Sequence, residues 1–76
     1  MRLLDVEDLE PFKDEAVNLK CRDMYNSSQV WFYYGIIRKI TPDTVKLQYL
    51  KKEGFTYVNI DRILSVEKRG RERFDY

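Results

Sequence analysis

The stretch Val30-Trp31-Phe32-Tyr33-Tyr34-Gly35-Ile36-Ile37-Arg38-Lys39-Ile40 decides the fold. It is β-branched and aromatic almost throughout, the composition of a strand. Eleven residues is long for one strand, and Gly35 stands at its middle. A residue without a side chain lets a strand bend sharply or bulge there, so that one strand serves both sides of a closed sheet. The four aromatics before the glycine alternate, two inward to the core and two outward, either Trp31 with Tyr33 or Phe32 with Tyr34.

Downstream, Thr41-Pro42-Asp43-Thr44 reads as a β-turn, with the fixed φ of Pro42 preformed for its second position. Val45, Leu47 and Tyr49 then alternate with Lys46, Gln48 and Leu50 as the return strand of a hairpin. Lys51-Lys52-Glu53-Gly54 makes the next tight connection, with Gly54 expected at positive φ. A fourth strand is predicted over 55–60, with Thr56, Val58 and Ile60 on one side. Asp61-Arg62 breaks the alternation, and 63–68 forms a short fifth strand. Residues 69–76 are charged and unpatterned, and a flexible tail is expected there.

Upstream, Ala16 to Arg22 alternates strictly, with Val17, Leu19 and Cys21 on one face, which predicts a half-buried strand. Asn26-Ser27-Ser28 marks the loop between it and the long strand. Leu3, Val6 and Leu9 stand at three-residue intervals within residues 1–10, where Asp5 and Asp8 can cap a short helix and Pro11 would stop it. The chain is therefore predicted as all-β with one short N-terminal helix. Its five antiparallel strands form a strongly bent barrel over residues 1–68, filled by Val17, Leu19, Ile36, Val45, Leu47, Val58, Ile60 and Leu64.

Composition narrows the function. Seventy-six residues hold one small core. With no histidine and Cys21 as the lone cysteine, there is no intramolecular disulfide, no Cys/His zinc site and no Ser-His or Cys-His catalytic pair. A non-enzymatic binding module without metal or cofactor is expected. No apolar run is long enough for a membrane span and no export signal is evident, so a cytoplasmic protein is expected. The formal net charge of +1 hides an asymmetry. Residues 1–37 carry four basic and seven acidic groups, residues 38–76 ten and six. That polarity suits an anionic partner, head-to-tail association of identical subunits, or a mixed solvated surface.

Several of these segments resemble the Sm-like family, the fold of Sm proteins and of bacterial Hfq. Pro11-Phe12 followed by Glu15-Ala16-Val17-Asn18-Leu19-Lys20 is similar to the family's passage from helix to first strand. Tyr34-Gly35-Ile36-Ile37, with Asp43 eight residues after the glycine, is similar to the first Sm motif. Val58-Asn59-Ile60-Asp61-Arg62-Ile63-Leu64-Ser65-Val66 is similar to the second. The resemblance, over about residues 9–68, implies a homo-oligomer joined through the fourth and fifth strands and binding to single-stranded RNA. Thr44 after the turn acid, and Arg62 without a following glycine or histidine, depart from members that bind RNA around a ring pore.

The candidate RNA contacts are the aromatics Trp31 and Tyr33 with the cations Lys51, Lys52 and Arg62, since unpaired bases stack on aromatic faces and phosphates need converging positive charge. Gly35, Pro42, Asp43 and Gly54 are assigned structural roles at the bend and turns. Asp43 and Asp61 each sit in a turn, where a carboxylate bonds backbone N–H groups more readily than it joins an acid pair. The alternative function is a protein-interaction or assembly adaptor that binds no nucleic acid, its outward aromatics forming a protein interface.

Overall fold

A computed structural model describes residues 2–26 and 28–69. Helix α1 (Val6–Leu9) is followed by a 3-10 turn (Glu10–Phe12) and the strands β1 (Ala16–Arg22), β2 (Val30–Ile40), β3 (Thr44–Tyr49) and β4 (Phe55–Asn59). A second 3-10 turn (Ile60–Arg62) leads into β5 (Ile63–Lys68). The five strands pair antiparallel with one another, in the order β4-β3-β2-β1-β5, and an isolated parallel bridge joins Lys13 to Ile37. The fold is all-β with one short helix. Apart from Arg69, the tail expected over 69–76 lies outside the described residues.

Helix α1 is shorter than predicted. The Asp5 N–H donates to the Asp8 carboxylate at 2.9 Å, the capping arrangement the spacing suggested. Pro11 does not stop the chain turning but sits inside the following 3-10 turn, where its missing N–H costs nothing.

The sheet is strongly curled. Strand β1 pairs with residues 30–36 of β2, whereas β3 pairs with residues 35–40. Ile63, opposite Cys21, therefore belongs beside the Trp31 end of β2, and Asn59, opposite Thr44, beside the Ile40 end. On a flat sheet those ends would stand about 30 Å apart along β2. The chain from Asn59 to Ile63 reaches at most about 14 Å. Only a sharp bend in β2 reconciles the two lengths. Contacts across the gap bear this out: Arg22 Nη2 donates to the Asp61 carbonyl and Arg62 Nε to the Arg22 carbonyl, both at 3.1 Å. The expected barrel is nevertheless not closed, because no ladder joins β4 to β5 and each keeps an open edge.

The inner face collects Leu9, Val17, Leu19, Cys21, Ile37, Val45, Leu47, Val58, Ile60 and Ile63, all buried. Leu4, Val6 and Phe12 from the N-terminal segment pack against this cluster. Two expected core residues are replaced by neighbours. Ile36 lies opposite Gln48 on the outer face while Ile37 points inward against Leu47. Leu64 is displaced by an irregularity between β1 and β5, which pairs Ile63 with Cys21. A bulge at Arg38 likewise leaves that residue outside the β2–β3 ladder, so that Ile37 and Ile40, three positions apart, both pair with inward residues. Arg38 is held by Gln48 Oε1 at 2.8 Å and Asp14 Oδ1 at 3.2 Å. Asp14 itself takes φ 66°, the one non-glycine residue at positive φ among those described, a conformation that a short polar side chain tolerates.

Candidate nucleic-acid interface

Register settles which aromatics face out. Cys21 pairs with Trp31, Leu19 with Tyr33 and Val17 with Gly35, and all three β1 residues are buried. Trp31 and Tyr33, the aromatics named for RNA contact, thus take the core-facing side of β2. Tyr33 packs against the core. Trp31 lies near the strand end, half exposed, where its Nε1–H donates to Asp23 Oδ1 at 2.6 Å. The other Asp23 oxygen accepts the Tyr25 and Asn26 N–H groups at 2.9 and 2.8 Å. These bonds, led by that from Trp31, hold the Asp23 carboxyl below the usual carboxylate range. Trp31 is thereby committed to closing the β1–β2 loop.

The outward pair is Phe32 and Tyr34, which alternation allowed but did not select. Phe32 stands opposite Lys20 and Tyr34 opposite Asn18. Further along the same face, Tyr57 pairs with Lys46, whose Nζ lies 4.3 Å from the centroid of the Phe55 ring. Lys39 faces Lys46 from β2. Aromatic rings and ammonium groups therefore alternate across the outer surface, with Phe32 53% and Tyr57 66% exposed.

The basic candidates divide between two places. Lys51 and Lys52 lie in the β3–β4 turn, where the Tyr49 N–H donates to the Gly54 carbonyl at 3.1 Å and Gly54 takes φ 115°. With Tyr34, Tyr49, Leu50 and Arg69 they line a cleft of about 520 Å³. Lys52 Nζ lies 4.6 Å from the Tyr49 ring centroid and Arg69 Cζ 5.2 Å from that of Tyr34. Arg69 is anchored by its own N–H to the Ala16 carbonyl at 2.8 Å. Reading patterned segments misses Arg69 because it follows the last strand, and only the β1–β5 pairing brings it beside Tyr34.

Arg62 is elsewhere. Its Nε donates to the Arg22 carbonyl at 3.1 Å, in the group of turns that holds Thr41-Pro42-Asp43-Thr44 and Asp61. Arg2 crosses this group. It donates through Nε to Asp61 Oδ1 and through Nη2 to the Pro42 carbonyl, both at 2.7 Å, with Asp5 and Asp43 oxygens 3.6 Å away. The Arg2 guanidinium holds the Asp61 carboxyl below its ordinary range. Asp43 in the Pro42 turn and Asp61 in the 60–62 turn are thus joined by a cation from the N-terminal segment. In the Pro42 turn, Thr41 Oγ1 accepts the Thr44 N–H at 2.9 Å and the Asp43 N–H at 3.3 Å.

No family model, curated protein or solved structure matches the chain. Among the described residues, no helix is long and apolar enough to cross a membrane.

Proposed function

We propose that the chain is a non-enzymatic, Sm-like module that binds single-stranded RNA and assembles with copies of itself through the open edges of β4 and β5. The observation that carries the RNA reading is the outer surface, where the exposed rings of Phe32, Tyr34, Phe55 and Tyr57 are interleaved with Lys20, Lys39 and Lys46. Rings offer stacking to any base and cations neutralise the connecting phosphates. The assembly reading is supported by unpaired edges on both sides of one curled sheet. The adaptor reading draws on Phe55 and Tyr57 standing exposed on the edge strand β4, a place where a protein strand would dock.

Titration of a short single-stranded RNA with the full chain, at low and raised salt, tests the first part, and light scattering tests the second. The expected outcome is binding that weakens steeply with salt by a multi-subunit species. A monomer that retains no RNA at low salt overturns the proposal. No RNA binding by an oligomer returns the adaptor.

A further inference from the structure

We propose that the cleft lined by Tyr34, Tyr49, Leu50, Lys51, Lys52 and Arg69 is a nucleotide subsite for single-stranded nucleic acid, taking one unpaired base on its aromatic surface and the flanking phosphates on its cations. This rests on the reading of the chain as a nucleic-acid binder and goes beyond it by locating the site and its selectivity.

Charge distinguishes this cleft from the turns around Arg2. Three cations line it and no carboxylate does. Among the described residues, Lys51, Lys52 and Arg69 take part in no ion pair. At the turns around Arg2 the positive charge is already committed: Arg2 is held by Asp61, and Arg62 lies against a backbone carbonyl. A polyanion therefore finds three cations without a carboxylate partner around one cleft at the β3–β4 turn, where Arg69 Nη1 donates only to the Asn18 amide oxygen at 3.4 Å. Glu53 belongs to that turn but does not line the cleft.

Geometry supplies the second argument. Lys52 and Arg69 lie within cation–π range of Tyr49 and Tyr34. A base stacking on either ring displaces the cation from that face, and the flexible side chain, tethered beside it, is left to meet the base's own phosphate. The rings and Leu50 make the surface largely apolar, and a volume of about 520 Å³ lies in the range of small-ligand sites. Stacking on a ring is open to every base, so the subsite is expected to accept all of them. Ribose and deoxyribose strands share this chemistry.

The test uses the full chain and fluorescein-labelled oligouridylate and oligothymidylate, followed by anisotropy over a series of salt concentrations. Lys51→Ala with Lys52→Ala is expected to weaken binding roughly tenfold and to flatten the salt dependence by about 1.4 in the logarithmic slope, the change for two fewer phosphates neutralised on a single strand. Tyr34→Ala is expected to weaken binding roughly tenfold with the slope unchanged, since it removes stacking alone. Replacing uridylate by adenylate is expected to change affinity little. Weaker binding by these variants with either polymer supports the subsite, and the tighter polymer identifies the strand it serves. Wild-type binding that survives both changes, or falls only on Phe32→Ala or Lys46→Ala, overturns the subsite and leaves the general reading standing. A wild-type chain that binds neither polymer at low salt overturns both.

Discussion

Gly35 on β2 lies against the main-chain carbonyl of Gln48 on β3, closer than any β-carbon could stand. A Cβ built on Gly35 would also meet Leu47 Cγ at 2.8 Å. Its φ is not in the left-handed region, so the requirement is for space alone. Both obstacles belong to the core-facing side of the bend, and backbone is the less able to yield. Gly35→Val is expected to cost about 2 kcal/mol or more, a large share of the stability of a domain this small. A thermal melt with an unchanged or higher midpoint would show that the close approach is absent.

Register gives a second prediction, about adjacent isoleucines. Ile37 is fully buried against Leu47, whereas Ile36 lies on the outer face opposite Gln48. Truncating Ile37 to alanine is expected to cost about 2–5 kcal/mol, and truncating Ile36 well under half as much. Urea denaturation of the two variants measures the difference. Equal losses would mean that Ile37 does not face the interior.

Acid is expected to loosen the group of turns around Arg2. Hydrogen bonding from Arg2 lowers the Asp61 carboxyl from its ordinary value of 3.8. The group is charged more readily folded than unfolded, so its stabilisation is present above that ordinary value. It is lost as the pH falls through the lower folded value. Asp61→Asn should reduce the melting temperature at neutral pH and flatten its decline in acid. An Asn variant with the wild-type acid profile would remove Asp61 from the account. Raised salt should shrink the neutral-pH difference, because Asp61 is largely exposed and Arg2 partly so.

Cys21 should be chemically silent in the native state. Burial pushes its thiol up to about 11, against the opposing charge of Arg62, and its side chain is inaccessible. Labelling by a thiol reagent at neutral pH is expected to be slow and to rise with denaturant in step with unfolding. Rapid labelling without denaturant would contradict the burial.

The strands β1, β2 and β5 are legible in the sequence because each alternates cleanly or is uniformly β-forming, and their bounds in the structure coincide with those patterns. Alternation fixes which residues share a face but not which face is inside. That is why Trp31 and Tyr33 suit an outer surface on sequence grounds although pairing with Cys21 and Leu19 turns them in. The irregularity in β5 defeats a period of two at Leu64, whereas Ile36 is misplaced because two adjacent isoleucines do not say which of them points inward. The cleft is half legible: Lys51 and Lys52 are adjacent in the chain, but Tyr34 joins them through the β2–β3 pairing that sets Gly35 opposite Tyr49, and Arg69 through the β1 pairings with β2 and β5. Charge alone groups Arg62 with the lysines, and the curl of the sheet carries it instead to the group of turns held by Arg2.

Arg38, standing outside the β2–β3 ladder, changes the reading frame of β2. Before it, odd-numbered positions specify the interior; after it, even-numbered Ile40 does. A related chain lacking that one residue would need its hydrophobic and polar letters exchanged from there to the Pro42 turn to build the same wall. Similarity scored position by position would then fail across a segment whose shape had not changed. Relatives of this protein are therefore better sought by matching the two halves of β2 separately, with a free gap at Arg38, than by aligning it as one uninterrupted strand.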